Sequence, residues 1–280
     1  MAAKKKRTST PYKVPALERA FAILDALNQT SFGLTVEEIR ALLKIPYSST
    51  FYLLETMRRC GYVQRDAQTK KYNVGYKLLA FRESQVVRQG IQLRALANPL
   101  LHELTALTTL TSHVAVLHQA EAVYVERVEP TGFIRINTWV GMRVALHCTA
   151  VGKALLLSMS EEQIRAILPA DRLVRKTDRT HTSIESLLED LSRSRTRGYT
   201  VDDAEDEKEG RCLATPVFGA DGTVAASIGV SGTVWQIEPQ RVDSLGKLIL
   251  KFAADLSAKL GWQPATSGPP SNLIEVLRPQ

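Results

Sequence analysis

The sequence predicts an α+β protein: an N-terminal winged helix-turn-helix, a helical linker, and a larger domain built on an antiparallel sheet of about six strands. Three observations carry this. Between residues 17 and 74, apolar periodicity runs in the order helix, helix, turn, helix, hairpin. Six strand-like runs follow residue 110, grouped around helical segments. Charge is divided unevenly: residues 1–94 hold 17 Lys and Arg against 7 Asp and Glu, whereas the rest hold 19 against 22.

Residues 1–13 read as a basic leader, expected to be disordered, and 14–77 as the winged domain. Leu17, Ala20, Phe21, Leu24 and Leu27 recur at helical spacing and predict a first helix that buries this face. Thr35 stands three residues before Glu38, the pattern of a capping box, and Val36, Ile39, Leu42 and Leu43 continue it as a second helix. Lys44-Ile45-Pro46 ends that helix. A third is expected from about Ser48 to Cys60, with Thr50, Leu53, Leu54 and Met57 inward and Gly61 as its C-terminal cap. Tyr62 to Arg65 and Tyr72 to Val74 then form a hairpin around the basic turn Asp66 to Lys71.

From Gly75 to Thr109 the leucine pattern is helical, broken by Gly90 and Pro99, which predicts a linker helix over 78–91 and a separate first helix of the domain 92–262. The strand-like runs lie near Thr111–Leu117, Ala122–Val128, Phe133–Thr138, Gly198–Asp202, Cys212–Phe218 and Val224–Ser231. Helices are expected near Val151–Met159, Glu161–Leu168, Ser183–Arg195 and Glu238–Leu260, with a flexible tail over 263–280. Leucines between Leu78 and Leu107 exceed what a short linker needs, so they are candidates for self-association, although Leu100 to Leu107 serve equally well as core.

Composition narrows the function. The basic third suits a polyanion partner, and a helix-turn-helix lays its last helix in the major groove. That directs Tyr47, Ser48, Ser49, Phe51 and Tyr52 toward bases, and Arg65, Lys70 and Lys71 of the wing toward phosphates. Nothing approaches a membrane span or a signal peptide, which points to a cytoplasmic protein. Three cysteines without CxxC spacing imply neither a disulfide framework nor a structural zinc.

Five segments resemble the IclR family of bacterial transcriptional regulators: residues 16–20 (ALERA), 34–65 with the exit Gly61-Tyr62-Val63, 147–154 (HCTAVGKA), 197–203 (RGYTVDD) and 210–214 (GRCLA). The resemblance spans about Val14 to Trp262. It implies a GAF-like effector domain and homodimers or homotetramers that bind operator DNA to repress or activate genes. One departure concerns the recognition helix, where Tyr52 stands in place of the Arg of many relatives.

The same resemblance implies an effector site. Its polar positions become Asp202, Cys212 and Ser231, with Gly229 where some relatives carry Ser, and its apolar wall Phe133, Ile136 and Val144. The amides of Ala150, Val151 and Gly152 at a helix start would suit a small carboxylate. Because Gly229 removes a hydroxyl and its volume, an aromatic acid is expected over a two- or three-carbon keto acid. No cofactor or metal is implied. Three rival readings remain: a cysteine hydrolase built from His147, Cys212 and Asp202, a metal site from His113, His118, His147 and Cys148, and a DNA-binding protein without effector.

Overall fold

The structure is a computed structural model describing residues 14–30, 32–83 and 85–263; the expected leader over 1–13 and the tail beyond 263 lie outside the described residues. The chain divides between Arg88 and Gln89 into two compact units.

In the first unit, helices α1 (Pro15–Asn28), α2 (Val36–Leu43) and α3 (Tyr47–Arg59) precede strands β1 (Val63–Arg65) and β2 (Tyr72–Val74). β1 and β2 pair antiparallel, and Leu34 bridges to Tyr72. Thr35 caps α2: its hydroxyl accepts from the Glu38 amide and the Glu38 carboxylate accepts from the Thr35 amide. Gly61 follows α3 at φ +83°, the left-handed geometry that glycine adopts without strain. The core gathers Ile23, Leu27, Ile39, Leu54, Met57, Val63 and Tyr72. The expected face of α1 is corrected here. Leu17 and Phe21 are exposed while Ile23 and Ala26 are buried, because α1 carries two apolar stripes and packs on the second, with Leu27 common to both.

A 3-10 helix (Tyr76–Glu83) leads to α4 (Gln85–Thr108), a single helix that contains both Gly90 and Pro99. The expected break there is not made. Leu93, Ala97, Leu100, Leu101 and Leu104 of α4 enter the core of the second unit, whereas Leu79, Ile91 and Leu107 remain exposed.

The second unit holds one antiparallel sheet of β3 (Thr111–His118), β4 (Glu121–Val128), β5 (Arg143–Ala145), β6 (Thr200–Asp203), β7 (Gly210–Phe218) and β8 (Val224–Thr233), in the order β5-β4-β3-β8-β7-β6. Its helices are α5 (Ala150–Leu156), α6 (Glu161–Ile167), α7 (Ile184–Arg197) and α8 (Val242–Lys259). The run Phe133–Thr138 is not a strand; the sixth strand is β5, which pairs with β4 through Val144↔Ala122. The run 133–138 pairs with no strand among the described residues: Phe133 and Ile134 face solvent, as do Trp139 and Val140 just beyond it, and Ile136 is half-buried.

Residues opposite each other in an antiparallel ladder share a face. The register therefore puts Asp202, Cys212, Ser231 and Thr111 in one row, and Thr200, Ala214, Gly229, His113 and Arg127 in the next. A bulge between Val114 and Ala115 sets Tyr124 opposite Ala115, which keeps Tyr124 on this same face. The other face receives α4, where the Ser112 hydroxyl donates to Leu101 O and Glu126 pairs with Arg94.

Candidate DNA-binding surface and effector site

On α3, Thr50, Leu54 and Met57 are buried, so the opposite side is free. Tyr47, Ser48, Phe51 and Tyr52 are exposed, Tyr52 at 70%, and Ser49 is half-buried. Tyr47 and Phe51 stack with centroids 6.4 Å apart, and Tyr52 meets Phe51 edge-on. Arg58 is held by Glu55 at 2.9 Å. In the wing, Asp66 ties the turn by accepting from the Gln68 and Thr69 amides. Lys70 sits at φ 59° with its side chain exposed; Lys71 is half-buried, and Arg65 lies over the Tyr72 ring.

The second site lies on the sheet face that carries α5. Thr149 caps α5 by accepting from Gly152 N, so of the three amides expected to meet an anion only those of Ala150 and Val151 have no partner among the described residues. Gly152 is required: a Cβ there would stand 2.5 Å from Leu146 Cα. The Thr200 hydroxyl donates to Ala150 O and fixes the start of α5 on the sheet.

Asp202 is buried; its Oδ1 accepts from the Glu205 amide at 2.8 Å, and its Oδ2 has no partner among the described residues. Burial, and next the Glu205 carboxylate, push its pKa up to about 8. Burial and Asp202 likewise raise the Cys212 thiol, so this sulfur is a neutral hydrogen-bonding group and not a nucleophile. Ser231 Oγ lies 2.6 Å from His113 Nε2. Burial, and then Arg127, lower His113 to about 4, which leaves its ring neutral.

Of the apolar wall, Val144 is buried on this face, Ile136 is half-buried in the 129–142 loop, and Phe133 is fully exposed. Gly229 also departs from expectation, since it leaves no vacant volume. A Cβ there would stand 2.2 Å from Leu213 O and 2.9 Å from the Ala214 Cβ. Ala214 already occupies the space.

Two groups of residues were not placed at this site by the sequence reading. His113, Tyr124 and Arg127 join the face only through the β3/β4 register and its bulge. Arg127 donates to Thr138 O and pairs with Glu129. Behind the site, the fully buried Lys153 ammonium donates to Asp190 at 2.8 Å, Glu205 at 2.6 Å and Val201 O at 2.7 Å. His181, Asp190 and Glu205 have the residue types of a metal site, but Lys153 Nζ supplies the cation to the two acids. The charge at position 153, within an apolar helix, was the available signal. The hydrolase reading is met only in part: Asp202 and Cys212 are ladder neighbours, but His147 Nε2 contacts Val174 O. Of the metal reading, His118 is exposed and His113 is buried against Ser231.

Comparison with known proteins decides the family. The model of the bacterial transcriptional regulator IclR C-terminal domain matches residues 85–258, and that of the IclR helix-turn-helix domain matches 16–67. The chain belongs to the IclR family. It is 32% identical over 249 residues to the HTH-type transcriptional repressor AllR of Salmonella typhi, covering 89% of this chain and 91% of that protein. The Thermotoga maritima IclR structure superposes with a TM-score of 0.69 at 28% identity, over 88% of this chain and 98% of that one. An IclR homolog from Microbacterium hydrocarbonoxydans complexed with 4-hydroxybenzoate shares the fold at 22% identity and TM-score 0.64, over 88% and 98% of the two chains. This IclR-family chain is therefore a DNA-binding transcriptional regulator. No described helix is long and apolar enough to cross a membrane.

Proposed function

We propose that the chain binds palindromic operator DNA as a homodimer or homotetramer, and that a small carboxylate on the α5 face of the sheet controls this binding. The observation that supports the effector reading most directly is the set of polar groups left unpaired there: Asp202 Oδ2 and the amides of Ala150 and Val151. Buried polar groups are ordinarily paired, so such a cluster favours a ligand that supplies the partners. A carboxylate accepts from the two amides and from a protonated Asp202. Ser231 and Cys212 complete the polar row, and Val144 is buried on the same face of the sheet. Phe133 reaches this site only if the 129–142 loop folds inward. On the DNA side, α3 presents Tyr47, Ser48, Ser49, Phe51 and Tyr52 to the groove, while Arg65, Lys70 and Lys71 meet phosphates. Chemistry on Cys212 is disfavoured by its neutral thiol and its lack of a basic partner.

Thermal denaturation of the full chain with glyoxylate, benzoate or 4-hydroxybenzoate tests the effector reading, because a ligand of the native state raises Tm by mass action. At least one acid should raise Tm, and Asp202→Ala should abolish the rise while leaving operator affinity without effector intact. Acids without effect on the wild type, or an unchanged response in Asp202→Ala, would remove Asp202 from this role.

A further inference from the structure

The Tyr124 side chain is 6% exposed and lies on the sheet face that carries Asp202, Cys212, Ser231 and His113. Its ring stands 5.0 Å from that of His113 at an interplanar angle of 57°. His113 in turn lies 2.6 Å from Ser231 Oγ through its Nε2, so Tyr124 stands next to the polar row. Burial raises the phenol's pKa, and Cys212, Asp206 and Asp202 act in the same direction.

The Tyr124 hydroxyl has no hydrogen-bond partner among the described residues, and it is not one of the sealed polar atoms that lack one. It opens onto the small accessible surface left at the site. Tyr199 is a contrast: also buried, it donates its phenol proton to Asp243 at 2.6 Å. Phe would supply the same packing, so the hydroxyl adds nothing to the fold that the ring does not. It is placed to take a partner from outside the chain.

We propose that Tyr124 is a specificity-determining residue of the effector site, donating its phenol proton to a second oxygen substituent on an aromatic acid whose carboxylate lies at the Asp202 and α5 edge. This rests on the carboxylate reading above and narrows its ligand class. The tilted His113 ring beside Tyr124 gives such an acid an aromatic wall at its far end.

Calorimetry on the full chain with benzoate and 4-hydroxybenzoate, which differ only in the ring hydroxyl, tests the assignment. The wild type should bind 4-hydroxybenzoate about tenfold more tightly, the effect of one hydrogen bond. Tyr124→Phe should bring the ratio near one, leave benzoate affinity within about twofold, and leave the ligand-free Tm unchanged. A ratio that survives in Tyr124→Phe, or a wild type without preference, would overturn the role of Tyr124. So would a fall in Tm of roughly 2–4 °C, which would reveal a structural partner for the hydroxyl. If neither acid binds while glyoxylate raises Tm, this proposal fails and the carboxylate reading stands; if none of the three binds, both fail.

Discussion

In the N-terminal unit the groups directed at DNA have little part in holding the fold: Tyr52 is 70% exposed, Ser48 and Lys70 face solvent, and the core beneath is made by other residues. In the C-terminal unit the arrangement is inverted. Asp202, Ser231, His113 and Tyr124 are each at least nine-tenths buried, and Lys153 is wholly so. A surface site can be changed with little effect on stability, whereas a buried polar site couples ligand recognition to the free energy of folding. Substitutions should therefore move binding alone in the first unit, and in the second should lower Tm wherever they break a buried pairing or overfill the core.

The largest effect is expected at Lys153. Lys153→Met keeps most of the side-chain volume but leaves Glu205 buried without its cation and Asp190 with only the exposed Arg193 at 3.6 Å, and breaking a buried ion pair in this way costs about 3–5 kcal/mol. Chemical denaturation of the full chain should show the loss in the transition that reports the second unit. Unchanged stability would mean that the carboxyls take up protons at no cost, and the contrast between the units would weaken. Gly229→Ser comes next. Its Cβ would press on Leu213 O and Ala214, so a destabilisation of about 1–3 kcal/mol, typical of overpacking, is expected in place of a wider choice of ligand. A stable variant with altered effector ranking would restore the idea that this position lines open space.

This difference between the units also explains what the sequence made legible. Helices α2 and α3, the cap at Thr35 and the wing follow from local chemistry, and each was readable from residues close in the chain. The strand expected at 133–138 failed because alternation reports a sheet only when a partner strand is at hand, and β4 pairs with 143–145. The proposed effector face is non-local. His113, Tyr124 and Arg127 reach it through one bulge and a five-strand register, neither of which has a sequence signature. Gly229 was legible as a small residue, but not the Ala214 methyl that fills its place.

A pH series separates the units next. Asp202 is raised from its ordinary 3.8 to about 8, so between these values the folded state holds more protons than the unfolded one, and stability falls as pH rises. His113, lowered from 6.5 to about 4, acts in the opposite sense, adding stability as pH rises through that window. The two oppose each other up to pH 6.5, and above it Asp202 continues alone of the pair. Stability of the second unit should decline from pH 6.5 to 8 by at most about 1.4 kcal/mol per pH unit, and Asp202→Asn should flatten the slope. A slope unaffected by Asp202→Asn would assign the titration to another group, such as Glu205, which burial also raises.

The smallest effect on stability, and the sharpest on function, is expected at the wing. Lys70 is exposed on a turn fixed by Asp66, and no ion pair holds it or Lys71 among the described residues. Replacing both by Ala should change stability by less than about 0.5 kcal/mol. Each ammonium that neutralises a phosphate releases condensed counterions, so the double variant should bind every DNA sequence more weakly. Its log–log salt dependence should flatten by about one unit for each phosphate no longer neutralised. The half-buried Lys71 gives this prediction its finer edge. If its ammonium leans on the Glu38 carboxylate, whose pKa the Thr35 hydrogen bonds lower and Lys71 lowers further, then Lys70→Ala alone should account for most of the change in slope. Equal changes from the two single variants would place both ammonium groups on the DNA. A slope unaltered in the double variant would take the wing out of the interface and leave α3, among the described residues, as the surface through which the first unit meets its operator.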